Sequence, residues 1–108
     1  MILIGLEGFR YEYLASGRYA EAHPRLDGLI TRGALAPMIP VFPARHAPNL
    51  WSLVTGLYPV HHGIMDDVMY DSKTETYWDV HNTSSRDAPD WYRGDPFWST
   101  YSSYGGLR

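Results

Sequence analysis

MILIGLEGFRYEYLASGRYAEAHPRLDGLITRGALAPMI, residues 1–39, is the stretch that sets the expected fold. Met1–Leu6 is an almost continuous apolar run ended by Glu7-Gly8. That pattern suits a strand buried on both faces, as in a parallel sheet covered by helices. Phe9 to Ala15 suits a short helix with Gly17 as its stop. Pro24 then opens a second helix, with Leu26, Leu29 and Ile30 at helical spacing and Gly33 closing it. Ala34 to Ile39 reads as the next strand, which completes a βαβ unit with an expected right-handed crossover. The expected class is α/β.

Further along, Pro37, Pro40, Pro43 and Pro48 frame a loop that continues neither a helix nor a ladder. Pro48 or Asn49 begins a helix through Leu50, Trp51, Leu53 and Val54, closed by Gly56. Met69-Tyr70 and Thr76-Tyr77-Trp78 flank a polar turn and read as a hairpin. Residues 79–90 are polar and suggest a surface loop. Pro96 suits the first turn of a last helix over Phe97–Tyr104, ended by Gly105-Gly106.

The whole chain has 108 residues, a net charge of -3, 44% hydrophobic and 15% aromatic residues. A domain holds roughly 100–200 residues, so these residues are expected to hold no second full domain. Charged residues make up 19% of the chain, below the usual quarter or so, and the aromatic content argues against disorder. No apolar run approaches the ~20 residues of a membrane span. The N-terminus has no basic region and meets Glu7 too soon for a signal peptide. The nine basic residues are scattered rather than clustered, which speaks against a DNA or RNA polymer as partner. With no cysteine, disulfides and thiolate metal sites are excluded, and no compartment is indicated.

Three places carry residue types suited to chemistry. Glu7 follows the first expected strand, where α/β proteins place ligands, and Gly8 permits close backbone approach. The loop Val41–Asn49 precedes a helix whose amide end suits an anion. Within it Arg45 supplies charge, and His46 suits a ligand, a base or a nucleophile; the plain alternative is a surface histidine beside a capping Asn49. His61, His62, Asp66 and Asp67 surround Gly63 with ligands suited to a cation such as zinc, at a spacing that matches no closed site. The aromatic residues after position 69 fit core and hairpin pairing.

Taken together, these pieces resemble the type I phosphodiesterase/nucleotide pyrophosphatase family of the alkaline phosphatase superfamily. ILIGLEGFRYEYL at 2–14 and APMIPVFPARHAPNLWSLVTGLYPVHHGIMDDVMYD at 36–71 carry the likeness. WYRGDPFWSTYSSYG at 91–105 carries it more diffusely. The middle stretch is specific: Phe42-Pro43, Pro48-Asn49, Ser52 through Pro59, His62-Gly63-Ile64 and Met69-Tyr70-Asp71 fall at family spacing. The resemblance implies the N-terminal portion of an alkaline-phosphatase-like mixed or parallel sheet flanked by helices, with residues 1–108 as a single partial domain. It also implies hydrolysis of phosphodiester or pyrophosphate bonds, a small phosphodiester or nucleotide as substrate, and two zinc ions in a complete site.

The family's catalytic positions fall here on altered residues. Its metal-binding aspartate position is Glu7, its nucleophilic threonine position is His46, and its phosphate-stabilising asparagine position is Asp67. Glu7 keeps a carboxylate on a longer stem. His46 removes the hydroxyl while offering an imidazole, itself a candidate metal ligand. Asp67, when ionised, presents an acceptor where a donor was needed. Losing one oxyanion donor typically costs on the order of 10²–10³ in rate, and losing a nucleophile costs more. The remaining family ligands are expected downstream of Arg108. The leading expectation is therefore a fragment or degenerate relative of a metal-dependent phosphodiesterase, inactive as this chain. The alternatives are a non-catalytic phosphate- or nucleotide-binding module, and a hydrolase with a rearranged site of Glu7, His46 and Asp67 completed by further residues or another chain.

Overall fold

The computed structural model describes residues 2–105, apart from the Ala20 side chain. It is a mixed α/β structure of two compact units, Met1–Ile39 and Pro40–Arg108. The first contains helices α1 (Glu12–Ala15) and α2 (Pro24–Arg32), joined by a single 3₁₀ turn. The second contains α3 (His46–Thr55), α4 (Pro59–His62), strands β1 (Val68–Asp71) and β2 (Thr76–Asp79), α5 (Thr83–Arg86) and α6 (Phe97–Ser103).

In the first unit, α2 runs as the sequence implies. Pro24 occupies its first turn, where its missing N–H costs nothing, and Gly33 ends it. Phe9, Tyr13 and Tyr19 form an edge-to-face chain with ring centroids 5.5 and 5.4 Å apart. The His23 Nε2 lies 2.9 Å from the Tyr13 carbonyl, tying the start of α2 to α1.

The two strands expected around these helices are not formed. Residues 2–6 and 34–40 have no regular structure, and Ile2, Ile4 and Ile39 are 88%, 74% and 90% exposed. Met1 lies outside the described residues. An apolar run satisfies its backbone as a strand only when a neighbouring strand takes its N–H and C=O groups. Among the described residues no such neighbour pairs with either run. The only sheet among them is the antiparallel β1–β2 hairpin, in the register Val68↔Asp79, Met69↔Trp78, Tyr70↔Tyr77 and Asp71↔Thr76. Its pairing is local, so it closes with a short turn instead of a crossover.

The hairpin's alternation places Trp78 on the inner face, 1% exposed, with Ile64 and Ala47. Trp51, Met69, Val80, Trp91 and Tyr92 pack around that core. Trp51 and Tyr92 pack with ring centroids 4.7 Å apart and planes tilted by 54°, and Trp98 of α6 meets Trp51 edge-on at 6.5 Å. Residues 79–90, expected to be a plain loop, contain α5. Asn82 caps it by accepting from the Ser84 amide at 3.1 Å, an interaction that makes a short helix from a polar stretch. A close backbone approach fixes Gly94: its φ is +80°, and a Cβ there would collide with Leu57.

Candidate functional site

The start of α3 gathers most of the residues singled out in the sequence. The helix begins at His46, two residues before Pro48, because Arg45 in extended conformation serves as the boundary residue. Pro48 is accommodated in the first turn, where helix amides have no partner to lose. The Ala47 amide, one of those orphan donors, is taken by Asp67, whose Oδ1 accepts from it at 2.8 Å. The neighbouring Asp66 accepts from the Asp67 amide at 2.7 Å and lies 3.3 Å from the Arg45 Nε. Both acidic residues therefore face the amide and cationic groups expected to seat an anion. In this structure the Ala47 amide and the Arg45 Nε are engaged by the chain's own carboxylates.

Asn49 does not cap the helix. It sits inside the first turn and reaches back over the loop. Its Oδ1 accepts from the Val41 amide at 2.9 Å, and its Nδ2 donates to the Arg45 carbonyl at 2.6 Å. One amide side chain thus closes the loop 41–45 that leads to His46, a loop that also contains a cis Phe42-Pro43 bond.

The histidines separate by role. His62 is fully buried. Its Nδ1 accepts from the Ile64 amide at 3.1 Å, and its Nε2 lies 2.9 Å from the Ser52 Oγ. A backbone N–H can only donate, so Nδ1 carries the lone pair and the ring proton resides on Nε2. His62 therefore donates to Ser52 and does not act as its base. Burial lowers the His62 pKa, opposed by hydrogen bonding to the Pro48 backbone. His61 is exposed. The cluster around Gly63 is thus split among a buried lock, a helix cap and an ion pair.

Glu7 belongs to the first unit and lies in a turn ahead of Gly8, whose φ is +65°, rather than at a strand end. His46 and Asp67 belong to the second unit, where His46 opens α3 and Asp67 accepts from the amide of the next residue, Ala47. Among the described residues no three His, Asp or Glu side chains converge closely enough to hold a metal ion. They do not by themselves supply a zinc cage.

Beside α3 lies a cavity of about 320 Å³ that sequence reading did not anticipate. His46, His81 and Arg86 line it together with Trp51, Trp78 and Tyr92. The Trp78 Nε1 is buried without a hydrogen-bond partner among the described residues. His81 and Arg86 reach this place because the β2–α5 connection turns back over the core, a non-local fact with no signature in a polar loop. No helix is long and apolar enough to cross a membrane among the described residues.

Comparison with known proteins gives the family. Residues 1–108 match the family described as type I phosphodiesterase / nucleotide pyrophosphatase. The chain is 39% identical over 108 residues to ectonucleotide pyrophosphatase/phosphodiesterase family member 1 of Homo sapiens, covering 99% of this chain and 11% of that protein. It is 36% identical over 109 residues to family member 3 of Bos taurus, covering 100% of this chain and 12% of the relative. It is 38% identical over 109 residues to the venom phosphodiesterase of Naja atra, covering 100% and 13%. The chain thus spans about 11–13% of the length of these curated relatives. With the match running from its first residue to its last, the chain belongs to the type I phosphodiesterase/nucleotide pyrophosphatase family.

Proposed function

We propose that this chain is a site-altered segment of a metal-dependent hydrolase of phosphodiester or pyrophosphate bonds, and that it does not turn over such substrates as it stands. The observation that carries this reading is the Asp67 carboxylate, 2.8 Å from the Ala47 amide at the head of α3, next to an imidazole at position 46. In-line attack on phosphorus needs a nucleophile there and donors for the developing oxyanion charge. Position 46 has no hydroxyl, and the nearest helix amide already serves an anionic side chain. Zinc enters this reading only with donors beyond His46 and Asp67, because those two do not make a cage.

The test is release of nitrophenol from bis(4-nitrophenyl) phosphate with added zinc. The wild-type chain is expected to give none above the buffer rate, and sustained zinc-dependent release would overturn the reading. A triple variant, Glu7→Asp, His46→Thr and Asp67→Asn, separates the two reasons for inactivity. If the variant becomes active, the residue changes are responsible. If it stays inactive and binds no zinc, the segment lacks further ligands.

A second reading is favoured by the cavity beside α3, with its aromatic walls, His81, Arg86 and the unpartnered Trp78 N–H. On this reading the segment holds a phosphate-bearing small molecule or nucleotide without turnover. Calorimetry with AMP decides it: saturable heat that falls with Arg86→Ala supports binding, and flat titrations refute it.

A further inference from the structure

A second, larger cavity of about 660 Å³ lies away from α3, between the hairpin and residues 84–93. Its volume falls within the roughly 300–1,000 Å³ typical of small-molecule sites. Tyr70 and Tyr77, directly paired across the strands with ring centroids 4.7 Å apart and inclined at 40°, line it together with Trp91. Tyr70 and Tyr77 are 52% and 66% exposed, so neither ring is used up in the core.

The polar part of the lining has a distinct character. Asp71 and Asp90 oppose Lys73 and Arg93, so the wall carries no net charge and selects neither anion nor cation. Asp71 is already committed to the Lys73 amide at 2.9 Å and to the Thr74 hydroxyl at 3.0 Å. Among the described residues the Asp90 carboxylate, the Arg93 guanidinium and the Ser84 hydroxyl make no side-chain hydrogen bond. The Arg93 backbone is anchored, because its amide donates to the His62 carbonyl at 3.0 Å.

We propose that this cleft binds a neutral saccharide of one or two rings. A sugar ring has C–H-rich faces that lie against aromatic faces, whose negative charge density attracts the polarised C–H groups. Its vicinal hydroxyls each donate and accept. A carboxylate accepts from two neighbouring hydroxyls and a guanidinium donates to two, which is the complement that Asp90 and Arg93 offer. A charged ligand would find its counter-charge matched by an equal repulsion. The site is separate from the start of α3 and independent of any hydrolytic activity there.

The experiment is a titration of the ¹⁵N-labelled chain with cellobiose and with maltose, followed by amide shifts. Sorbitol, an open-chain polyol without a ring face, is the control. Saturable shifts confined to residues 70–77 and 84–93 are expected for at least one disaccharide. Tyr77→Ala and Asp90→Asn each change an exposed side chain, so the fold is expected to survive, and each is expected to weaken binding at least tenfold. Tyr77→Phe, which keeps the ring face, is expected to retain binding. No saturable shift with either disaccharide overturns the proposal. So does equal binding of sorbitol, or unchanged affinity in folded Tyr77→Ala.

Discussion

His62 shows how much one side chain can be asked to do. It is completely buried, donates to Ser52 and accepts from the Ile64 amide, so it links α3, α4 and the chain leading to the hairpin. Protonating it would place an N–H against the Ile64 N–H and a charge in a dry place. The native state therefore favours the neutral ring, and the His62 pKa is lowered by burial. The sign follows from linkage. In the window below the ordinary value of 6.5 the unfolded chain binds a proton that the folded chain refuses, so stability rises with pH. The contribution is complete above that value and is lost as pH falls through the lowered native one. The urea midpoint is expected to be higher at pH 8 than at pH 5, with a smaller difference in His62→Gln. An equal difference in the two proteins would show that another group is responsible. Neighbouring His61 is exposed, and nothing in a His-His pair tells the two apart.

At the scale of elements, α3 depends on side chains from outside its own sequence. A helix begins with amides that its own turn cannot satisfy, and a carboxylate is a good partner for them. Here that carboxylate comes from Asp67, twenty residues on. Asp67→Ala removes the acceptor and is expected to cost about 0.5–2 kcal/mol. Asp67→Asn keeps an oxygen acceptor and is expected to cost less. Urea denaturation of both variants measures the difference, and equal stability of wild type and Asp67→Ala would exclude the capping role. The Arg45–Asp66 pair adds little to this, because both partners are substantially exposed and such pairs are worth only about 0–1 kcal/mol. Asn49 contributes differently, by tying the Val41 amide and the Arg45 carbonyl together around the loop.

Over the whole molecule, burial is uneven. Among the described residues of the first unit none is buried, whereas the second has Ala47, Ile64, Trp78 and His62 at its centre. Local opening costs little where few apolar contacts must be broken. Hydrogen exchange is therefore expected to be fast for the amides of α1 and α2 and slower for α3 and the hairpin. Comparable protection in both units would contradict that view. The same imbalance explains where sequence reading succeeded. The α2 boundaries, the Gly56 stop and the β1–β2 hairpin rest on proline, glycine and alternation, all local effects. The strands expected at 1–6 and 34–39 rest on a partner, and an apolar run carries no information about whether one is present.

By itself the sequence determined the helices with clear start and stop residues, the hairpin and the family. Those properties follow from side-chain spacing and from residue identity along the chain. Only the tertiary structure decided that Asp67 caps α3, that His62 is locked in one tautomer against Ser52, and that His81 and Arg86 share a cavity with His46. The Asp67–Ala47 and His62–Ser52 contacts pair groups twenty and ten residues apart, and the cavity joins side chains still farther apart along the chain. Hydrogen-bond satisfaction in a packed interior is a property of the folded chain, and no local pattern encodes it.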